Sequence, residues 1–374
     1  MCDFVLGSDV GDPITSLYTY AYPDRQCNIV LSGTALGKIW LYDTLSGGRV
    51  QLAGHSEDAI RGLYCDGDHC FAVIGDTVCR KWRISLEGAN LPSPARSKTT
   101  PDSPKVGVYV AQEPPASFRL DKRGSSVLKY LIQEGRFMLC MYPGVSTFFD
   151  LLTTEQHVVQ YRMLDGGNII SAAPLGFHGR SVMLAEYVEG DCMQYRLVDF
   201  SNALPLGNAD QSANQTVTSR VGGIIKDPST GSLAVFSSHL HPSVEVLHVR
   251  VLPSGMILVC IYSPTVMHSE FYIFEDDRQV EAFKVLKGRV LDVHFYELSG
   301  PRAGKEATLV FTALTSLGSI TTFPVTGGEA LLTGSCKEVR EMKFGLDSKY
   351  LVRGNCFGNV AVSFDRGVVL CRME

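Results

Sequence analysis

Thr333-Gly334 opens a stretch whose reading decides the fold: Val339-Arg340-Glu341-Met342-Lys343-Phe344, the turn Gly345-Leu346-Asp347-Ser348, then Tyr350-Leu351-Val352, then Phe357-Gly358-Asn359-Val360-Ala361-Val362-Ser363-Phe364-Asp365. Apolar and polar residues alternate within each piece and turn-formers separate the pieces, so the stretch predicts short β-strands. The same phrase recurs along the chain. Opening strands begin at Ile14, Ile60, Val127, Ile169, Val244, Val290 and Val339. Closing pairs fall at Tyr42-Asp43, Trp82-Arg83, Phe149-Asp150, Val198-Asp199, Phe274-Glu275, Phe323-Pro324 and Phe364-Asp365. Each closing pair lies 22 to 33 residues beyond its opening strand. Chance apolar runs would scatter more widely, so the chain reads as a tandem repeat of small sheets.

This phrase resembles the WD40 repeat, which carries Gly-His before its first strand and Trp-Asp at the end of its third. The resemblance covers nearly the whole chain and is degenerate. One repeat carries most marks: Gly54-His55 is followed by Trp82, 27 residues on, with Asp76 six residues before that Trp. In the family, the His, a turn Asp, a Ser or Thr of the second strand and the Trp form a hydrogen-bonded chain that ties a blade together. The resemblance assigns His55, Asp76 and Trp82 to this structural network, with His55 and Trp82 buried in one blade. Val73 and Ile74 stand where the hydroxyl belongs, which leaves the network incomplete. Elsewhere an apolar residue replaces the turn Asp, as in Leu36-Gly37-Lys38-Ile39-Trp40-Leu41-Tyr42-Asp43 and Leu317-Gly318-Ser319-Ile320-Thr321-Thr322-Phe323-Pro324. Those blades are expected to hold by packing alone.

The implied fold is all-β: a single seven-bladed WD40-like β-propeller spanning residues 1–374, with very little helix. Eight blades is the rival count, because one interval between closing pairs reaches 76 residues, but no good closing pair lies between Asp199 and Phe274. Four-stranded blades bury their faces only against neighbours, so the ring has to close. Either Cys2-Asp3-Phe4-Val5-Leu6 or the segment from Val368 to Arg372 can complete the last blade, and the sequence leaves both open.

Two repeats exceed the family length of about 40 to 45 residues. The first insertion, residues 86–119, holds Pro92, Pro94, Pro101, Pro104, Pro114 and Pro115 among Ser, Thr and Lys. That composition predicts a mobile loop as far as Lys105, and Val106-Gly107-Val108-Tyr109-Val110 alternates as an outer strand would. Ser93, Thr100 and Ser103 each precede a proline and are candidate phosphorylation sites, beside Arg96, Lys98 and Lys105. The second insertion, residues 201–242, offers Val221-Gly222-Gly223-Ile224-Ile225 and Leu233-Ala234-Val235-Phe236 as an added hairpin.

Of the 374 residues, 45% are hydrophobic and 20% charged, with mean hydropathy of +0.07, so most of the chain is expected to fold. A net charge of −5 supplies no broad basic field, which argues against nucleic acid as a partner. No signal-like start or membrane-length apolar run occurs, so the expected compartment is cytoplasmic or nuclear, without membrane insertion. Eleven cysteines without a Cys-x-x-Cys pair fit buried thiols better than a disulfide framework or zinc module.

Cys65-Asp66-Gly67-Asp68-His69-Cys70 and His239-Leu240-His241 gather metal-ligand residue types, yet Asp66-Gly67 reads as a strand turn, and neither group is assigned a metal. No catalytic elbow, phosphate loop or zinc-protease phrase occurs, and no cofactor is expected. Central positions of the innermost strands are Leu17, Leu63, Leu128, Ala172, Leu247, Val293 and Met342, which suit packing. The expected function is therefore a non-catalytic scaffold, a monomer within a larger complex, binding other proteins through residues before each first strand and on the turns between second and third strands. The alternative is a propeller enzyme or small-molecule binder with a site at the central channel. A channel-facing cluster of perturbed titratable groups would favour it.

Overall fold

Runs of β-branched and aromatic residues, broken by glycine and polar turns, fold here as antiparallel strands. The computed structural model describes residues 4–7, 12–22, 27–44, 49–53, 58–75, 78–85, 109–110, 116–119, 130–134, 137–142, 145–150, 156–159, 168–177, 180–189, 192–199, 204–205, 245–252, 256–275, 278–299, 308–326, 328–337, 339 and 350–373. Among them the strands form seven antiparallel sheets.

The chain divides into two compact units. The first comprises Met1–Arg119, Val293–Leu314 and Gly318–Glu374. Its first sheet runs in chain order through Ile14–Tyr22, Cys27–Thr34, Ile39–Asp43 and Arg49–Ala53. The second runs through Ile60–Asp66, His69–Ile74 and Val78–Ser85 to Ala116–Arg119, and Tyr109–Val110 also pairs with Val78–Ser85. The end of the first insertion thus forms the outer edge of this sheet. Another sheet holds Val290–Leu298, Thr308–Thr315, Ser319–Pro324 and Leu332–Ser335, most of it in this unit.

The last sheet places Tyr350–Gly354, Asn359–Phe364, Gly367–Arg372 and Phe4–Gly7 side by side. Phe4 pairs with Leu370 and Val5 with Val369, so both segments that compete for this sheet in the sequence belong to it.

The second unit, Leu120–Asp292 with Thr315–Leu317, holds three sheets. One comprises Tyr130–Glu134, Phe137–Tyr142, Val145–Asp150, Gln156–Val159 and Leu204–Pro205. Another comprises Asn168–Phe177, Arg180–Glu189 and Cys192–Asp199, and the third Glu245–Val251, Ile257–Ser263, His268–Glu275 and Arg278–Lys287.

Two details of pairing repeat where sequence similarity is faint. The innermost strand slips register soon after its start in four sheets: between Ile14 and Ser16, Ile60 and Gly62, Ile169 and Ser171, and Val246 and His248. Such bulges sharpen the local twist. The carbonyl just before the innermost strand also accepts a backbone hydrogen bond from the turn between second and third strands. Ala35 N donates to Pro13 O over 2.9 Å, Gly75 N to Ala59 O over 2.9 Å and Ser316 N to Arg289 O over 2.7 Å.

The first unit's core interleaves its first two sheets: Ile29, Leu31, Ile39 and Leu41 pack with Ile60, Leu63, Ala72, Ile74, Trp82 and Ile84. On the other side Ile14, Leu17, Val30 and Tyr42 pack with Ala361 and Val368 of the last sheet. Each fully buried aliphatic side chain contributes about 1.5–3 kcal/mol.

Two expectations are corrected. Lys337 and Val339 are helical, so no strand opens at Val339; its fully buried side chain explains its apolar character without one. The turn assigned to Asp66-Gly67 is formed by Gly67 and Asp68, because Asp66 and His69 are register partners. Val127, Val244 and nearly all of both insertions lie outside the described residues.

Candidate interaction surface

In the second unit, the turn between Ile257–Ser263 and His268–Glu275 carries Val266 and Met267, exposed at 56% and 61%. Met267 has φ of 55°, in the left-handed region. It immediately precedes the third strand of its sheet. Gly318 holds the same place in its sheet, with φ of 73°, and Gly358, with φ of 78°, immediately precedes Asn359–Phe364. A large apolar side chain therefore stands where the repeat elsewhere uses glycine, at a cost of roughly 1–2 kcal/mol.

The surroundings of this turn are fixed by polar contacts beneath it. Gly288 N donates to Met267 O over 2.8 Å. The fully buried Ser269 hydroxyl donates to Gly288 O over 2.8 Å and accepts from Val290 N over 3.0 Å. Arg289 N donates to Ser316 Oγ over 3.1 Å. Leu317, exposed, lies against Gly288, whose φ is 85°; a Cβ there would sit 2.9 Å from Leu317 Cγ.

Arg289 binds Glu245 through both guanidinium nitrogens, Nη2 lying 2.6 Å from Oε1, and its guanidinium sits 5.6 Å from the Tyr262 ring centroid. The hydrogen bonds from Arg289 lower the Glu245 pKa, and those same bonds raise that of Arg289. Val266, Met267 and Leu317 are thus apolar groups on rigid turns, beside an ion pair. Exposed apolar residues clustered this way mark interaction sites more often than scattered ones do.

Corresponding turns of the first unit carry Leu36 before Gly37 and Phe357 before Gly358, both exposed. The sequence pointed to these turns without ranking them. The signal that ranks them is an apolar residue where the turn wants a small polar one.

Of the residues assigned to the WD40 network, Trp82 is buried in the first unit's core, while His55 and Asp76 lie outside the described residues. Val73 and Ile74 are buried on the second strand. The expectation that the other blades hold by packing alone is overturned. In the first sheet, Ser32 Oγ and Tyr42 Oη are 3.3 Å apart, taking the places of the family's hydroxyl and Trp. Lys38, in the turn, lies 2.9 Å from the buried Asp12 ahead of the first strand. This ion pair ties the turn to the residues ahead of the first strand. Thr312 Oγ1 bonds Thr322 Oγ1 at 2.6 Å and donates to Tyr296 Oη at 3.0 Å in another sheet.

The innermost strands are also less purely apolar than expected. Leu17, Leu63 and Val293 are buried in the first unit, but the innermost strands bounding the third sheet of the second unit carry His248 and the buried Asp292, whose charge acts on His248. Burial, then Arg250, push the His248 pKa down to about 4, against an opposing pull from Asp292. Its Nε2 is buried without a hydrogen-bond partner among the described residues.

Among those residues no group of three or more His, Cys, Asp or Glu could hold a metal. Cys65 and Cys70 are buried, while their neighbour His69 is half exposed and bonds Asp68 Oδ1 at 2.8 Å. Ser93, Thr100, Ser103, His239 and His241 lie outside the described residues. No described helix is long and apolar enough to cross a membrane.

No protein-family model matches the sequence, and no curated protein matches it. The structure is similar to several solved structures, one of them a β-propeller domain. The WD40 β-propeller domain of Doa1 aligns over 100% of this chain and 97% of that one, at 9% identity and TM-score 0.50. BBS1N, solved in complex with ARL6DN, aligns over 100% and 97% at 8% identity and TM-score 0.48. Raptor of Chaetomium thermophilum aligns over 99% of this chain and 28% of its own, at 13% identity and TM-score 0.49. The fold is of the WD40 β-propeller kind.

Proposed function

We propose that this chain is a non-catalytic scaffold whose seven sheets are the blades of one propeller, and that it binds partner proteins through turns between second and third strands. The observation that carries this reading is Met267, an exposed apolar side chain held in a left-handed conformation that equivalent turns reserve for glycine. Strain that contributes nothing to packing is retained where a surface is used. Val266 and Leu317 extend the apolar face, and the Arg289–Glu245 pair supplies a polar rim, the usual anatomy of a docking site. The cytoplasm or nucleus is the compartment we propose, with Ser93, Thr100 and Ser103 as phosphorylation sites in the first insertion.

The test is quantitative co-purification of the tagged full-length protein from its own cells. Wild type is compared with a Val266→Asp/Met267→Gly variant of matched thermal stability. Selective loss of specific co-purifying proteins supports the reading; identical partner sets at identical yields overturn it.

A second reading, a small-molecule site at the innermost strands, is favoured by His248, with its unpartnered buried Nε2 and lowered pKa beside Asp292. A ligand-induced change in His248 imidazole NMR signals, on screening small polar metabolites, would favour it over the scaffold.

A further inference from the structure

Cys65 and Cys70 take no part in the docking surface, and their placement is unusual for two buried thiols. They are direct register partners across the hairpin of the second sheet, with Sγ atoms 3.4 Å apart. The hairpin turn is only two residues, Gly67 with φ of 54° and Asp68. Asp66 and His69 therefore form the hydrogen-bonded pair that closes a two-residue turn, and Cys65 and Cys70 are the next, non-hydrogen-bonded pair. Such a pair holds its Cα atoms about 4.5 Å apart. That spacing lies at the short end of the roughly 4.4–6.8 Å that disulfides span. A bond can form there with little backbone movement.

The surroundings isolate this pair. Trp82 is the register partner of Cys70 on the third strand, and Cys79 pairs further along with Val73, so the chemistry is confined to two sulfurs. Access comes from the hairpin tip, where Gly67 and Asp68 are exposed. Polar contacts at the tip include Gly67 N donating to Tyr20 Oη over 3.1 Å, Arg83 Nε to Asp68 Oδ2 over 3.2 Å, His69 Nδ1 at 2.8 Å from Asp68 Oδ1, and Ile84 N donating to Asp68 O over 2.7 Å. Fraying of so small a unit takes far less free energy than global unfolding.

We propose that Cys65 and Cys70 form a reversible redox site, oxidised to a cross-strand disulfide by a low-molecular-weight disulfide of the glutathione type. The thiolate of one cysteine attacks the small disulfide, forming a mixed disulfide and releasing one thiolate, which takes up a proton. The second cysteine, deprotonated, attacks the protein sulfur of that mixed disulfide. The Cys65–Cys70 bond forms, the mixed bond breaks, and a second small thiol leaves with the other proton. Two electrons pass from the cysteine pair to one small disulfide, which becomes two thiols. In the oxidised state the two strands are joined beside the turn that Tyr20 binds.

Full-length protein is equilibrated natively in buffers of varying glutathione to glutathione-disulfide ratio, alkylated and digested with chymotrypsin. Cleavage after Tyr64 and Phe71 yields residues 65–71, which contain these two cysteines and no other. The expected product at high disulfide is this peptide without alkyl groups and two hydrogens lighter than the dithiol. It reverts to the doubly alkylated form after dithiothreitol and is absent from the Cys65→Ser variant. A peptide doubly alkylated at every ratio, or oxidised only after the chain is unfolded in denaturant, overturns the proposal. So does stable glutathionylation of one cysteine without ring closure.

Discussion

Two turns that join second to third strands solve one geometric problem in opposite ways. In the first sheet, Gly37 supplies the left-handed residue, Gly37 N and Lys38 N bond back to Thr34, and Lys38 reaches the buried Asp12. In the sheet Glu245–Lys287, Met267 takes the left-handed place and Val266 stands exposed beside it. The first turn sends Lys38 inward to an ion pair and leaves Leu36 exposed; the second presents both Val266 and Met267 to solvent. Turns at corresponding places thus differ in whether their side chains hold the sheet or stand in solvent, which is the difference the proposed docking role rests on.

The comparison can be broken first from inside, at His248. Its folded-state pKa of about 4 lies below the ordinary 6.5, so the unfolded chain binds more protons below neutrality. Stability is complete above about pH 6.5 and declines as pH falls toward 4, by up to about 3 kcal/mol. Thermal unfolding across that window should show the decline in wild type and a flatter profile in His248→Gln. Equal slopes would remove His248 from the account.

Gly354 tests how tightly the blades of the first unit pack. A Cβ there collides with the Tyr296 ring, while Gly354 N donates to His294 Nδ1 over 3.1 Å. Gly354→Ala should cost about 1–3 kcal/mol of unfolding free energy by overpacking, read from denaturant midpoints.

Asp12→Ala leaves the Lys38 ammonium, only 20% exposed, without its carboxylate. A loss of about 1–2 kcal/mol is expected, between the values of exposed and buried pairs. A Lys38→Met/Asp12→Ala double variant should recover part of it, since no uncompensated charge remains. No loss in the single variant would return the first sheet to packing alone.

The smallest effect has the opposite sign. Met267→Gly removes left-handed strain of roughly 1–2 kcal/mol and adds backbone entropy to the unfolded chain, for a net gain of about 0.5–1 kcal/mol. A higher melting temperature together with weaker partner binding would separate recognition from stability at one residue. A lower melting temperature would mean that Met267 packs against something that matters to the fold.

Sequence alone determined the repeat, because a strand's alternation and a turn's glycine are local properties carried by adjacent residues. Six of the seven closing pairs fall on third strands of their sheets, five of them at the very ends, while Phe364 ends the second described strand of its sheet and Asp365 lies just beyond it. Trp82 was legible as a buried residue for the same reason. Val339 was misread because a buried valine preceding a turn looks the same in a strand and in a helical turn. Only the tertiary structure decided the rest: the register slips, the Asp12–Lys38 pair, the Ser32–Tyr42 contact and the pairing of Phe4–Gly7 outside Gly367–Arg372. Each joins residues from different strands or opposite ends of the chain, and hydrophobic periodicity carries no information about which strand meets which. Met267 shows the same limit at the surface, since nothing in its neighbours' identities states that its backbone is left-handed; the pairing of the strands on either side imposes it.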